Sequence, residues 1–426
     1  MNDENRPETE EEEERNTPLF DRPFHGRRGQ TPSKGERAGH MASVALFGIF
    51  CAAVAGALAL FLIFGEGLGA GSIDRVSSMI SRGLQGGAQI SSDVISFDAQ
   101  PGNVIEPFLD GIAVLTSNRL VCYDTIGGER LAAERMFSRP ALQASVKNVL
   151  AYDRNGTTLL LADRHGFLLD LQWERPIITA KLNRAGWLAL VTQGSGYKAV
   201  VHVYDPDGVP AFRYSSPEYY ITDAAVSPDG SQLAVACAGF TDNWVSGRLR
   251  VFDLTRTGGA TPREATPEDV TTALCDLDGE MIYELFFPKN DRIAAMTEKG
   301  AAYWDAKGVL LGRTELEGRY LQDYSALDGA IVLRTSRGRS GSGARLDSYG
   351  WDGRSLGGLA LKNDVICQSG GGGYVTLVTA DAITVYDAKL DAVSDQPNQT
   401  HVRAVKQCDT GPVYLIYSDN ARLYKP

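Results

Sequence analysis

Two kinds of hydrophobic patterning divide the chain. Residues 41–64 read MASVALFGIFCAAVAGALALFLIF, 24 positions without a charge. At about 1.5 Å per residue such a segment makes a helix about 36 Å long, enough to cross a hydrocarbon core of about 30 Å with some tilt. The apolar stretch of a cleavable signal peptide is shorter, about 7 to 15 residues. Beyond it, Ile73, Val76, Ile80 and Leu84 recur every three or four residues, which predicts an amphipathic helical stem ended by Gly86-Gly87. From about residue 94 the period shortens again, and short β-rich runs alternate with Gly, Asn, Asp and Ser turns.

Within this β-rich region a single unit recurs: an apolar strand, a hairpin, and a second strand closing in an aromatic or apolar residue and usually an Asp. The copies end at Asp124, Leu171, Asp205, Asp253, Asp305, Asp352, Asp387 and the terminal Pro426, 34 to 52 residues apart. A further apolar run precedes most of them, as at 220–223, 281–285 and 320–324. Hairpins at this spacing, with no amphipathic helix between them, predict an all-β β-propeller. No unit can bury both its faces alone, so the units must stack around an axis. The first innermost run is 103–109, which leaves 94–98 unassigned, while the chain stops after the third strand of its last unit. Segment 94–98 is therefore expected to supply the missing outer strand of the final blade, closing the ring and removing an exposed edge. This reading gives eight blades. Seven is the alternative, if the first hairpin and the N-terminal strand share a blade with the last. The predicted organisation is a disordered tail at 1–40, one transmembrane helix at 41–64, a stem at 65–90 and the propeller at 91–426.

Charge adds an orientation. The tail carries Glu8 and the run Glu10 to Glu14, and it lacks the apolar periodicity needed to offset chain entropy. Arg22, Arg27, Arg28, Lys34 and Arg37 precede the apolar segment, whereas only Arg75 and Arg82 follow within 20 residues. Basic flanks stay cytoplasmic, which predicts a single-pass protein of the cell membrane with the tail inside and the propeller extracytoplasmic. Gly48, Ala52 and Gly56 share one face of the predicted helix and would let two copies approach closely as a homodimer. Thr17, between the acidic run and Pro18, is a candidate phosphorylation site, against an unmodified solvated tail. The net charge of −11 and pI near 5.1 exclude nucleic acid as the main partner, because phosphate contacts need clustered Lys and Arg. Six Cys are too few and too scattered for a disulfide scaffold, and Cys122 and Cys237 read as small core residues within apolar strands.

Candidate chemistry is sparse. No phosphate-binding loop, C-x-x-C or H-E-x-x-H pattern occurs, and no catalytic residue, cofactor or metal ligand is assigned. His165, His202 and His401 are scattered, and the Asp residues closing the repeats read as turn formers. Two constellations stand out. Glu106, Asp223, Glu284 and Asp323 align on the innermost strands, where they could form a partial acidic ring holding a cation or a basic group. The competing reading pairs them with Lys147, Arg184 and Arg403. The second constellation lies on three long hairpin loops, 193–198, 239–247 and 336–344, which share one propeller face. They carry Tyr197, Phe240, Trp244, Arg337 and Arg339, the residue types of protein recognition surfaces.

Ser227-Pro228-Asp229-Gly230 matches a turn frequent in bacterial propellers of the quinoprotein-like and WD40-like kinds, which the repeat region resembles. The full layout of acidic tail, anchor, stem and degenerate propeller is similar to an uncharacterised family of single-pass membrane proteins of clostridial and related Gram-positive bacteria. That resemblance implies a membrane-anchored propeller and no known activity. The Gly-His and Trp-Asp dipeptides of WD40 repeats do not recur, Trp304-Asp305 and Trp351-Asp352 being isolated. Nor do the tryptophan-docking motifs and catalytic carboxylates of quinone-dependent dehydrogenases. The expected function is therefore non-enzymatic: a propeller that binds another envelope protein or a cell-wall component. The alternative is a sensor of small molecules or glycans, or a carbohydrate-active enzyme, using the channel carboxylates.

Overall fold

A computed structural model describes residues 89–426 apart from 242–243, 258–262, 265–270, 278 and 399–401. The tail with Thr17, the apolar segment with Gly48, Ala52 and Gly56, the stem up to residue 88 and His401 lie outside the described residues. Among the described residues, no helix is long and apolar enough to cross a membrane.

The described strands form eight antiparallel sheets of four principal strands, and each sheet is one blade. The first blade shows the plan: Val104–Phe108 innermost, then Gly111–Leu115, Arg119–Tyr123 and, outermost, Glu129–Glu134. Its second strand is buried at every position, whereas its outermost strand alternates between exposed and half-buried residues. The same gradient explains why the sequence shows continuous apolar runs for the middle strands and weak signals for the outer ones. The eighth blade is built from both ends of the chain. Ala404–Gln407, Val413–Ile416 and Asn420–Lys425 come from the C-terminus. Its outer edge is Gln89–Ile90 and Ile95–Ser96, paired antiparallel with Asn420–Lys425 through Gln89 with Lys425 and Ser96 with Asn420. The predicted closure by 94–98 is thus present, two residues of it in strand, with a further short pairing at Gln89–Ile90. The ring has eight blades, not seven.

The core lies between blades. Eight apolar clusters occur among the described residues, and each joins two neighbouring sheets. Between the third and fourth blades, for example, Val191, Val201 and Phe212 meet Ile221, Val235 and Phe252. The closing cluster brings Ile95, Phe97, Ile105 and Ile112 against Tyr414 and Ile416. At about 1.5–3 kcal/mol for each large side chain fully buried, these interfaces supply most of the driving force.

In every blade the innermost strand begins on one face of the ring, here called upper, and ends on the other, the lower face. The turns between third and fourth strands therefore open on the lower face, and there the repeated Asp serves the turn. Asp305 Oδ1 accepts from the N–H groups of Lys307 and Val309 at 2.9 and 2.8 Å, and Asp124, Asp205 and Asp387 repeat the arrangement. In the Ser227-Pro228-Asp229-Gly230 turn, Gly230 has φ +74°, and a Cβ there would stand 2.2 Å from the Trp187 ring of the preceding blade.

Two departures from the expected plan sit in the fourth blade. Residues 239–247, which the sequence suggests as a loop, belong largely to a two-stranded ribbon. Gln232–Thr241 pairs with Trp244–Asp253, ten residues each, and Phe240 faces Val245 across it. The alternation of small and polar residues with Gly239 and Gly247 hid a strand that continues past the sheet. The connection that follows also sends Arg263–Glu264 back as a parallel fifth strand beside Pro210–Ser216, the outer strand of the third blade.

His202 shows how the blade interfaces respond to pH. Its ring lies 4.6 Å from that of Trp173, and burial, aided by the charge of Arg213, pulls its pKa down to about 4. The folded protein therefore holds the imidazole neutral, while the unfolded chain takes up a proton near pH 6.5. The stability this contributes is complete above pH 6.5 and is lost as the pH falls toward 4. His202→Gln is expected to flatten the decline of melting temperature between pH 7 and pH 4.5. An unchanged slope in a thermal scan would refute that assignment.

Candidate functional site

The innermost strands line a central channel, and a repeated irregularity sets what points into it. In the third to seventh blades the register against the second strand shifts at the second or third residue: Ile178, Thr222, Tyr283, Gln322 and Ile366 are extra residues. Such a bulge re-aims the side chain beside it. Asp223, Glu284 and Asp323 each follow a bulge, so the sequence alignment of these three corresponds to one structural level. Glu106 sits in the first blade, whose innermost strand pairs without a bulge.

Two of the four acids converge on a residue that sequence reasoning did not single out. Lys181, on Ile177–Leu182, donates to Asp223 Oδ2 at 3.1 Å, to Glu284 Oε1 at 2.8 Å and to the carbonyl of Leu285. Asp223 Oδ2 also accepts from the Leu285 N–H at 2.8 Å, and the Tyr324 hydroxyl donates to Glu284 Oε2. The knot ties four consecutive blades, third to sixth. Burial opposes the charge on Lys181, but the two carboxylates outweigh it and hold its pKa above that of an ordinary lysine. Burial pushes the Asp223 carboxyl up, only partly offset by Lys181 and the Leu285 N–H. Glu284 also suffers from burial, yet Lys181 and the Tyr324 hydroxyl bring it below the usual range. Burial and the Glu284 charge raise Tyr324, which keeps its proton and serves as a donor. A lysine alone among apolar neighbours in an innermost strand was the available signal.

The remaining acids are held elsewhere. Glu106 bonds Lys406 of the eighth blade at 2.6 Å, and Asp323 reaches Arg334 of its own blade at 3.4 Å. The four carboxylates therefore do not form one ring, because they divide among three separate cations. Those cations are Lys181, Lys406 and Arg334 in place of the expected Lys147, Arg184 and Arg403. Arg184 instead spans the lower mouth to Asp328 of the sixth blade at 2.7 Å and Asp409 of the eighth at 3.4 Å. No group of three His, Cys, Asp or Glu among the described residues stands close enough to hold a metal ion.

Lys181 lines two cavities and so marks the boundary between them. The upper one, about 420 Å³, is polar and lined by Gln143, Tyr152, Arg154, Thr222, Tyr283 and Tyr324. The lower one, about 470 Å³, is walled mainly by apolar side chains from the ends of the innermost strands.

Around the upper mouth the exposed aromatic residues form a crescent. Tyr197 lies on the loop after Leu188–Thr192, and Phe240, 75% exposed, stands on the ribbon of the fourth blade. Tyr220, Tyr283 and Tyr320, near the starts of three innermost strands, are exposed between them. Lys198 Nζ sits 5.0 Å from the Tyr220 ring centre and the Arg339 guanidinium 5.6 Å from that of Tyr320. Arg337 and Arg339 are both on the loop after Ala330–Ser336, and Trp244 lies on the second strand of the ribbon. The structure thus places the sequence candidates on the third, fourth and sixth blades of one face, and it adds Tyr220, Tyr283 and Tyr320. Their strand-start positions gave no loop signature to find them by.

Residues 90–420 match the model of a family of unknown function, DUF5711. The chain belongs to that family. No curated protein matches the chain significantly. Among solved structures the DUF5711 chain is similar to the C-terminal WD40 domain of Sif2, at 13% identity and a TM-score of 0.50 over 80% of this chain and 99% of that one. It is similar to Sqt1 of Chaetomium thermophilum bound to the N-terminus of the ribosomal protein L10, at 12% identity and 0.50 over 79% and 100%. BamB of Moraxella catarrhalis aligns at 13% identity and 0.49 over 80% and 98%. At such identities the likeness concerns the propeller fold alone.

The Lys181 knot makes a stability prediction. Lys181→Met strands the buried carboxylate of Asp223 and the half-buried one of Glu284 and should cost about 3 kcal/mol in chemical denaturation. The triple change Lys181→Met, Asp223→Asn and Glu284→Gln should recover most of that loss. Equal stability of the single variant and wild type would show that the knot does not brace the ring.

Proposed function

We propose that this DUF5711 chain is a non-enzymatic, membrane-anchored scaffold whose upper face docks another protein of the cell envelope. The carrying observation is the crescent of exposed aromatic residues interleaved with Lys198, Arg337 and Arg339. Aromatic residues and Arg are enriched at the centres of protein interfaces, and a ring of blades holds them on a rigid frame. A fold alone does not give a function, but Sqt1, of similar fold, was solved with a bound protein segment.

The uncharged segment 41–64 and the basic residues before it support anchoring with the propeller outside. Gln89 joins the ring at the lower end of the last blade, beside Lys425, on the face opposite the crescent. The reading as a carbohydrate-active enzyme has less support. Acid/base work on a glycan needs carboxylates free to trade protons, and Asp223 and Glu284 are both engaged by Lys181.

Cross-linking in intact cells should recover an envelope protein with the wild-type chain and lose it with Phe240→Asp and Arg339→Glu, at unchanged melting temperature. Retention of the same partner would show that this face is not the site. Protease added outside spheroplasts should digest the propeller and spare an N-terminal tag; digestion of the tag would reverse the orientation. In the same membranes, Gly48→Ile with Gly56→Ile should reduce dimer cross-linking, and an unchanged yield would remove the helix-dimer proposal.

A further inference from the structure

The upper cup of the channel holds polar groups that the protein itself leaves unanswered. Its cavity of about 420 Å³ falls in the size range of small-ligand pockets, roughly 300–1,000 Å³. Several of its polar side chains are already spent. Gln143 donates to the carbonyl of Ala180 and accepts from the Leu182 N–H, and the Thr222 hydroxyl donates to the carbonyl of Ile282 at 3.0 Å. Both oxygens of Glu284 are taken, one by Lys181 and the other by Tyr324.

Four groups remain. Tyr152, only 2% exposed, reaches the cup from Val149–Asp153, the second strand of the second blade, and its hydroxyl has no hydrogen-bond partner among the described residues. Asp223, 4% exposed, meets Lys181 and the Leu285 N–H through Oδ2 alone, which leaves Oδ1 without a partner. The Thr179 hydroxyl and the Arg154 guanidinium line the same space with no hydrogen bond or ion pair among the described residues. Buried polar groups are paired as a rule, so a nearly buried hydroxyl and carboxylate oxygen lining one cavity point to a missing partner. Charge and hydrogen-bonding capacity narrow its class. Arg154 and Lys181 balance Asp223 and Glu284 around the cup, so a cation and an anion each meet two like charges. Arg154 only donates, the ionised Asp223 only accepts, and the two hydroxyls do either.

We infer that the upper cup binds a neutral saccharide, whose hydroxyls both donate and accept. One hydroxyl donates to Asp223 Oδ1, another accepts from Arg154, and others exchange hydrogen bonds with Tyr152 and Thr179. Tyr283, 56% exposed at the mouth, offers the negative face of its ring to the polarised C–H groups of the sugar. Because Lys181 engages both carboxylates, the sugar is held and not cleaved. The site needs no partner protein at the aromatic crescent, although Tyr283 belongs to both.

The test is isothermal titration of the full-length chain, in a detergent without a sugar headgroup, with D-glucose, N-acetyl-D-glucosamine, maltose and cellobiose. D-glucuronate, D-glucosamine and glycine serve as the anionic, cationic and zwitterionic controls. At least one neutral sugar should bind saturably and more tightly than every control. Tyr152→Phe should weaken that sugar about threefold to tenfold, the worth of one neutral hydrogen bond. Its melting temperature should not change, because the hydroxyl has no partner within the fold to lose. Arg154→Gln should weaken the same sugar about tenfold or more, as loss of a charged donor does. Phe240→Asp with Arg339→Glu, which disables the crescent, should leave sugar affinity unchanged. No binding of any of the four sugars would show that these groups serve ordered water alone. That result, preference for a control, or full affinity in both the Tyr152→Phe and Arg154→Gln variants would overturn the inference.

Discussion

No blade of this protein has a core of its own. Each sheet is one layer thick, so its apolar side chains find cover only against the next sheet, and every cluster of buried residues among those described straddles two blades. A stack of such sheets is left with two bare ends unless it curves into a ring. Closure is therefore the condition on which the rest depends, and Ile95 and Phe97 meet it by carrying the N-terminal strand onto the last sheet. Once the ring is shut, the innermost strands face one another across a central channel, where charged side chains drawn out of water need partners.

The channel meets that need with one lysine. Bulges at the same level of neighbouring blades direct Asp223 and Glu284 inward, and Lys181 satisfies both along with a backbone carbonyl. Three charges in low-dielectric surroundings stabilise little beyond what their desolvation costs. What they supply is position, since the knot fixes the registration of four blades around the axis. It also separates a polar upper cup from a lower one walled mainly by apolar side chains, giving the two faces different surfaces to present.

Much of this architecture is legible in the sequence because middle strands buried on both sides must be uniformly apolar. Ile112 to Leu115 and Leu188 to Val191 announce themselves, and the Asp at the close of the third strand marks the turn that follows. The displaced strand 94–98 could be placed because the last unit lacked a partner. The ribbon of the fourth blade escaped notice because Phe240 and Trp244 stand beyond the shared sheet, where no burial pattern applies. The channel pairing escaped for a different reason. Alignment brings residues to one level, as it did Asp223, Glu284 and Asp323, but a long side chain such as Lys181 acts two residues from its own level. Tyr220, Tyr283 and Tyr320 were hidden because an exposed aromatic at a strand start looks, in a single sequence, like the buried one expected beside it.

The closing strand also decides how the domain would bear tension. Gln89 to Ser96 runs antiparallel along Asn420–Lys425, with hydrogen bonds lying across the direction of a pull exerted on residue 89 along the strand. Such a pull loads those bonds together in shear before any of them breaks, and it reaches the eighth blade first. The channel knot, anchored in the third to sixth blades, sits well away from this seam. The seam on which closure depends therefore meets such a pull with bonds that must yield together rather than one after another.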